Sequence, residues 1–222
     1  MENRPKLVVM LTYNDRTIPD AAEVFEKCRD SKAEVYGFKE EGIPFEDMLR
    51  LFARIKECGK ETALEVVAYD EEHCAAGAEM AVKCKVDYLM GTMYFDSVAD
   101  ICRKNGIKYM PYVGEITGRP SILGGSADKM IGDAKAILEK GADGFDLLGY
   151  RYTDNADDLI ERFVRETGAM TVVAGSVDSY ERLDLIKRVS PWGFTIGSAF
   201  VEGKFGGSFC EQINKVCDYI NG

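Results

Sequence analysis

The chain has 222 residues, 46% hydrophobic and 30% charged, a composition typical of a globular protein that buries a core. Its net charge of −10 argues against a nucleic-acid partner, because the phosphate backbone would repel it. No stretch approaches the roughly 18 apolar residues that cross a bilayer, and the first residues resemble a strand rather than a secretion signal. Seven cysteines without zinc spacing favour a reduced, cytoplasmic protein.

Hydrophobic runs of strand length alternate with amphipathic helical runs along the whole chain. Strands are predicted at 6–13, 34–38, 62–68, 87–91, 108–113, 144–148, 170–174 and 194–196. Helices are predicted at 20–30, 45–58, 71–84, 96–105, 127–140, 155–167, 179–189 and 208–220. Eight such units favour an α/β protein with one (β/α)8 (TIM) barrel domain spanning residues 1–222. An open doubly wound sheet usually has fewer strands, and its phosphate-binding glycines follow the first strand.

The last two predicted strands each end in a turn of small residues, Gly175-Ser176 and Gly197-Ser198. Between them, Asp178 followed by Glu181 has the spacing of a capping box that opens a helix. Such turns present free backbone N–H groups to an anion, and barrels often bind phosphate after strands seven and eight. The four turn residues are therefore predicted to bind phosphate. The alternative is that both glycines only close tight loops.

The connection after the fifth predicted strand, residues 114–126, is longer than the others and contains four glycines. It also contains Arg119, and a glycine-rich loop with one arginine suits a lid that closes on an anionic substrate. We therefore predict that Arg119 and Glu115, which ends the fifth strand, bind the substrate. The alternative is a surface loop with a solvated arginine.

Polar residues near the C-terminal ends of barrel strands are candidates for catalysis. Lys39 follows the second strand, where apolar surroundings would lower its pKa and make it a base or an amine nucleophile. Glu65 and Asp146 lie within strands three and six and should face the barrel interior, where each needs a partner. The expected partner of Glu65 is Lys39. The expected partner of Asp146 is a cation or a substrate hydroxyl. The alternatives are a structural Lys39–Glu65 pair, or a solvated lysine beside Glu40 and Glu41.

The single histidine, His73, lies three residues after Asp70 at the start of a predicted helix. This spacing would allow a metal site. An acidic, solvated first helical turn is favoured instead, because negative side chains stabilise a helix N-terminus. No nucleophile elbow accompanies the histidine, so a serine-type triad is not expected, and no metal ligand is assigned.

Residues 172–206, VVAGSVDSYERLDLI followed by GFTIGSAFVEGKF, resemble the phosphate half of the histidine-biosynthesis ribotide isomerase, a ribulose-phosphate-binding (β/α)8 barrel enzyme. The resemblance implies that phosphate binds at Gly175, Ser176, Gly197 and Ser198. A weaker similarity covers residues 76–113, where VDYLMGTMYFDSVADICRKNGIKYMPYV resembles the keto-deoxy-phosphogluconate aldolases.

The catalytic residues of these enzymes are not matched. The isomerase pattern implies an aspartate in strand one, where LVVMLTYNDRT offers only Asn14 and Asp15 after the strand. The aldolase pattern implies a Schiff-base lysine in strand six, where the chain has Asp146. The D-x-K-x-x-D run of related phosphate-sugar decarboxylases is absent from strand three. The resemblance thus implies a fold and a phosphate site, but neither specific activity.

These observations predict an enzyme that acts on a small phosphorylated metabolite, such as a sugar phosphate, without a redox cofactor. Lys39, Glu65 and Asp146 would supply the acid and base of an isomerase or epimerase reaction. One alternative is an aldolase or other lyase in which Lys39 forms a Schiff base. Another is a barrel that binds a phosphorylated ligand without catalysis. The expected partner is this small molecule, with no nucleic acid or membrane, and a homo-oligomer is left open.

Overall fold

The computed structural model describes residues 4–222, in which strands and helices alternate. The strands are β1 Lys6–Met10, β2 Val35–Lys39, β3 Glu61–Val66, β4 Tyr88–Gly91, β5 Lys108–Met110, β6 Gly144–Leu147, β7 Met170–Val173 and β8 Gly193–Ile196. The helices are α1 Ala21–Cys28, α2 Phe45–Glu57, α3 Glu71–Cys84, α4 Asp96–Asn105, α5 Ala127–Glu139, α6 Ala156–Thr167, α7 Tyr180–Val189, α8 Ser198–Val201 and α9 Phe209–Asn221. No helix within residues 4–222 is long and apolar enough to cross a membrane.

The eight strands form one parallel sheet in the order β6-β7-β8-β1-β2-β3-β4-β5. Two backbone hydrogen bonds close the remaining seam between β5 and β6. The Asp143 N–H donates to the Tyr109 carbonyl (2.9 Å), and the Asp146 N–H donates to the Pro111 carbonyl (3.1 Å). The predicted (β/α)8 barrel is therefore confirmed.

Side chains that alternate along the strands form two separate apolar layers, because successive strand residues point to opposite faces. The layer inside the barrel consists of Val8, Met10, Val35, Ala63, Tyr88, Met90, Met110 and Val172. The larger layer lies between the strands and the surrounding helices. Lys39 and Glu65 continue the inward-facing series of Val35 and Ala63, and the strand register aligns them as direct neighbours.

Helix α2 illustrates how the outer layer is built. Its buried residues, Met48, Leu51, Phe52 and Ile55, recur at helical spacing and form one apolar face. Phe52 stacks on Phe38 of β2, with ring centroids 3.9 Å apart. Removing so large a buried ring typically costs about 3–5 kcal/mol, so this face attaches the helix firmly to the barrel.

Polar and aromatic side chains close the N-terminal end of the barrel. Trp192 packs against Tyr88 with ring centroids 5.1 Å apart, and the Lys6 ammonium lies 5.7 Å from the Trp192 ring centroid. The Glu61 carboxylate pairs with Lys6 (2.7 Å) and accepts a hydrogen bond from the Tyr88 hydroxyl (3.0 Å). The opposite, C-terminal end is the one at which barrel enzymes carry their active sites.

The first predicted strand was too long. Strand β1 ends at Met10, after which Thr12–Tyr13 pairs antiparallel with Arg16–Thr17. The two connecting residues, Asn14 and Asp15, have φ angles of 47° and 65°, which are typical of a two-residue hairpin turn. The chain therefore folds back over the barrel mouth immediately after β1.

The segment 114–126 forms a second hairpin at the same end, in which Glu115–Thr117 pairs with Ile122–Gly124. It is joined to the chain after β6, where the Tyr152 hydroxyl donates to the Gly125 carbonyl (2.8 Å) and the Thr153 N–H to the Leu123 carbonyl (3.0 Å). The predicted loop is therefore an anchored hairpin.

The capping box predicted at Asp178 and Glu181 was wrong by one residue. Ser179 is the N-cap of α7, and its hydroxyl accepts from the Arg182 N–H (3.4 Å). Asp178 pairs instead with the Arg182 guanidinium (2.8 Å). The last helix, α9, does begin with a capping box, formed by Ser208 and Glu211.

Candidate functional site

The site at the barrel mouth centres on the buried ammonium group of Lys39. Its Nζ lies 2.7 Å from Asp15 Oδ1 and 2.8 Å from Glu65 Oε1. Lys39 is 6% exposed, and each of the two acids is 8% exposed. The predicted contact with Glu65 is present, and the lysine does not lie in solvent. The first hairpin contributes Asp15, which the sequence did not identify as part of the site.

The charges around Lys39 keep it protonated. Burial alone would lower the pKa of Lys39, but the attraction of the Glu65 and Asp15 carboxylates outweighs burial and raises the pKa above its ordinary value. The lowered pKa expected from the sequence was therefore wrong. For Asp15, burial acts to raise the pKa, but the charges of Lys39, Arg151 and Arg119 outweigh burial and lower the pKa below its ordinary value. Lys39 and Asp15 therefore form an ionised pair at neutral pH.

Two further inward-facing groups lie near Glu65. The fully buried Tyr112 donates its hydroxyl proton to Glu65 Oε1 (2.8 Å). Burial, followed by the charge of Glu65, raises the pKa of Tyr112 well above its ordinary value, so the phenol stays protonated. Asp146 is 1% exposed, and neither carboxylate oxygen has a hydrogen-bond partner among the described residues. Within residues 4–222 no cation pairs with Asp146, where the sequence predicted a cation or a substrate hydroxyl.

The surroundings of Asp146 favour its neutral form. Burial, followed by the nearby charge of Glu65, raises the pKa of Asp146 well above its ordinary value. An ionised carboxylate without a partner would be costly at this depth, and taking up a proton removes that cost. A buried carboxylic acid held neutral can donate a proton or a hydrogen bond at pH 7.

Arg119 lies over the mouth, on the hairpin of residues 114–126. Its guanidinium is 3.2 Å from Glu41 Oε1, 3.6 Å from Glu40 Oε1 and 3.7 Å from Asp15 Oδ2. Glu115 lies at the base of the same hairpin and is exposed. Neither Arg119 nor Glu115 lines the cavity beneath.

A cavity of about 180 Å³ opens beside Lys39 at the C-terminal end of the barrel. The residues that the sequence nominated and that line this cavity are Lys39, Glu65, Gly175, Ser176, Gly197 and Ser198. Asp15, Tyr112 and Arg151 also line it. The fold thus brings the predicted phosphate turns and the Lys39–Glu65 pair to one space, whereas Asp146 is buried outside the lining.

The two turns have backbone geometry that brings peptide groups to the cavity. Gly175 and Ser176 both have left-handed φ angles, of 82° and 65°. A Cβ atom added to Gly197 would lie 2.5 Å from the Thr12 hydroxyl oxygen, so only glycine fits there without a shift. Helix α8 has only four residues and begins at Ser198, and the Phe200 N–H already donates to the Gly197 carbonyl (2.9 Å). These features suit an anion.

Asp70 and His73 form a helix cap away from this cavity. Asp70 Oδ1 accepts from the His73 N–H (3.1 Å), and both Asp70 oxygens lie 2.8 Å from His73 Nδ1. The hydrogen bond to Asp70, followed by its charge, raises the pKa of His73. Within residues 4–222, no group of three or more His, Cys, Asp and Glu side chains is arranged to hold a metal ion.

Three residues of the site were not assigned to it from the sequence. Asp15 could have been found, because Asn-Asp between two short strand-like pairs is a hairpin signal. Tyr112 could have been found by counting two residues on from the inward-facing Met110. Arg151 lies in a single turn of 3-10 helix after β6, and its position on a loop at this end of the barrel made it a weaker candidate in the sequence.

No family model and no curated protein matches this chain. Solved structures do match over nearly its whole length. Orotidine 5′-phosphate decarboxylase from Pyrococcus horikoshii OT3 has a TM-score of 0.70 and 14% identity, covering 97% of this chain and 99% of that one. N-(5′-phosphoribosyl)anthranilate isomerase from Pyrococcus furiosus has a TM-score of 0.68 and 14% identity, covering 98% of both.

The tryptophan synthase complex from Pyrococcus furiosus has a TM-score of 0.67 and 16% identity, covering 100% of both chains. Identities this low establish likeness of fold only. The likeness shows that the chain shares the (β/α)8 barrel fold of these structures.

Proposed function

We propose that this protein is an enzyme that acts on a small phosphorylated metabolite by acid–base isomerase or epimerase chemistry. One observation carries the proposal: the Lys39–Asp15–Glu65 cluster and the two Gly-Ser turns line the same cavity. Barrel enzymes hold their chemistry at this end of the strands. The names of two structural neighbours, a decarboxylase of orotidine 5′-phosphate and an isomerase of a phosphoribosyl compound, are consistent with a phosphorylated substrate.

The size of the cavity supports a short substrate. The cavity beside Lys39 measures about 180 Å³. Pockets for drug-sized ligands usually measure about 300–1,000 Å³. We therefore favour a sugar phosphate of a few carbons over a nucleotide, with its phosphate against Gly175-Ser176 and Gly197-Ser198.

The charges suggest a role for each group. Glu65 would take a proton from the carbon beside a carbonyl, as a general base. Lys39, which is held as an ammonium, would stabilise the negative charge that develops on the carbonyl oxygen. Asp146 would hold a proton close to this network. Arg119 and Glu115, on the hairpin above the cavity, would contact a part of the substrate that extends out of the cavity.

The aldolase alternative has less support. A Schiff base requires a neutral amine, and the two carboxylates beside Lys39 oppose the loss of its proton. Borohydride trapping with candidate keto-acids would test it, and a Lys39 adduct would favour the aldolase. One observation favours the non-catalytic alternative: Lys39 already forms ion pairs with the carboxylates of both Asp15 and Glu65.

The test is a thermal-shift screen of phosphorylated metabolites, followed by solvent-deuterium exchange with each stabilising compound. We expect the wild type to exchange the proton beside the carbonyl and Glu65→Gln to do so about 10²- to 10⁴-fold more slowly. Lys129→Met, which removes an exposed lysine on α5, serves as the control. If no phosphorylated compound raises the melting temperature, phosphate binding is wrong. If Glu65→Gln and Lys39→Met both retain turnover, the assigned chemistry is wrong.

A further inference from the structure

Arg151 is a cavity residue to which the proposed chemistry gives no role. Six charged side chains line the cavity: Asp15, Lys39, Glu65, Arg151, Asp178 and Glu202. Four of the six are acids, and Lys39 is already paired with two of them. A bound phosphate dianion would add negative charge to this acidic lining. Among the described lining residues, Arg151 is therefore the cation that remains to neutralise it.

The Arg151 guanidinium is held loosely. Its NH1 group donates to the Ser121 carbonyl (3.3 Å) and lies 3.8 Å from Asp15 Oδ1. Charge-assisted hydrogen bonds of arginine are usually about 2.7–2.9 Å long, so both contacts are weak. A guanidinium has five N–H donors, and these contacts use only one nitrogen. Its side chain is 26% exposed, so an anion in the cavity can reach it.

The stem of Arg151 lies directly on the first phosphate turn. A Cβ atom added to Gly175 would meet Arg151 Cγ at 2.7 Å and Cδ at 3.3 Å. Glycine at this position thus permits the arginine to cross the turn. Strands β6 and β7 are hydrogen-bonded neighbours, so the turns that follow them lie side by side. The stem of Arg151 is therefore adjacent to the backbone of Gly175, and its guanidinium lies in the same cavity as Ser176.

Arg182 is also near this turn, but its guanidinium is occupied. It pairs with Asp178 (2.8 Å), donates to the Ser176 carbonyl and stacks 4.6 Å from the centroid of the Tyr150 ring. It does not line the cavity. The same turn therefore has one arginine committed to protein groups and one, Arg151, available to a ligand.

We propose that Arg151 is the phosphate-binding cation of this site, and that it exchanges the Ser121 carbonyl and Asp15 for two oxygens of a phosphomonoester dianion. The inference rests on the proposed function, because it assumes that phosphate binds at the Gly-Ser turns. A planar guanidinium matches two phosphate oxygens better than an ammonium does. Arg151 thus selects phosphorylated over unphosphorylated substrates, and after it moves Asp15 keeps its contacts with Lys39 and Arg119.

The test is calorimetric titration of the intact protein with inorganic phosphate. We expect Arg151→Gln to bind phosphate about 10- to 100-fold more weakly than the wild type, which is typical for a lost charge-assisted hydrogen bond. The affinity of Arg151→Lys for phosphate should lie between those of the wild type and Arg151→Gln. Arg188→Gln is the matched control, because it removes the same charge from an exposed arginine, and it should stay within about twofold.

The outcomes separate the inference from the proposed function. If the wild type binds phosphate and Arg151→Gln binds it equally well, the inference is wrong and the phosphate site stands. An equal loss of phosphate affinity in Arg188→Gln would also overturn the inference, because general charge attraction would then explain the weaker binding of both variants. If the wild type binds no phosphate, both proposals fail. Should Arg151→Gln not fold, phenylglyoxal labelling of the wild type replaces it: phosphate must protect Arg151 and leave Arg188 reactive.

Discussion

Replacing Lys39 by methionine tests the charged cluster most directly. Lys39→Met keeps the length and the apolar stem of the side chain but removes the cation between Asp15 and Glu65. All three side chains are at most 10% exposed. Removing one partner of a buried ion pair typically costs about 3–5 kcal/mol, because the other charge stays buried without compensation. We expect a loss of this size at pH 7, a large part of the usual stability of about 5–15 kcal/mol.

The loss should depend on pH and on the carboxylates. Urea unfolding at pH 7 gives the free energy of unfolding of the wild type and of Lys39→Met. Lys129→Met, which removes one partner of an exposed pair, should lose no more than about 1 kcal/mol. Adding Asp15→Asn and Glu65→Gln to Lys39→Met should restore part of the loss, because neutral groups replace the unpaired charges. The deficit of Lys39→Met should also shrink at pH 4, where protonation relieves the carboxylates.

Two results would refute this reasoning. A loss below about 1 kcal/mol at pH 7 would mean that Lys39 behaves as an exposed lysine does. An equal loss at pH 7 and pH 4 would mean that the unpaired carboxylates are not its cause, and that lost packing of the lysine stem explains the change.

Three further predictions concern stability and can be measured by urea unfolding. Gly197→Ala should lower the free energy of unfolding by about 1–3 kcal/mol, because the new Cβ would lie 2.5 Å from the Thr12 hydroxyl. The control, Gly132→Ala in α5, places its Cβ where no atom lies within 4 Å and should raise the free energy of unfolding by about 0.5–1 kcal/mol. Equal effects of the two substitutions would contradict this prediction. Burial acts to raise the pKa of Asp15, but the neighbouring cations lower it below its ordinary value in the folded protein. Asp15 therefore stabilises the fold at pH values above its pKa in the unfolded chain, and this stabilisation is lost as the pH falls through its lower pKa in the folded protein. Asp15→Asn should accordingly flatten the acid side of the stability profile, and an unchanged profile would count against the ion pair. Ser208→Ala should lose about 0.5–2 kcal/mol with its capping box, and no loss would mean that the cap is replaced by solvent.

The barrel was predictable from the sequence because its signals are local. The apolar positions of α2 recur every three or four residues, and the prediction of 45–58 differs from Phe45–Glu57 by one residue. The alternation of strand residues also predicted that Lys39 and Glu65 face the barrel axis and meet. Both inferences need only the chain's own periodicity and the pairing of consecutive strands.

The turns after β7 and β8 were predictable for the same reason. Glycine followed by serine after an apolar run marks a tight turn at the end of a strand. Parallel strands then bring such turns to one end of the sheet. The sequence thus located Gly175-Ser176 and Gly197-Ser198 correctly relative to the strands, while their role as phosphate ligands remains a proposal.

Tertiary structure alone decided which charges meet in the cavity. Asp15 joins Lys39 from 24 residues away, because a two-residue hairpin turns the chain back after β1. Tyr112 reaches Glu65 across 47 residues. The protonation of Lys39 follows from these contacts, since burial alone would have lowered its pKa. A sequence shows periodicity along one chain, whereas the charge state of a buried group depends on the sum of attractions from residues that only the fold brings together.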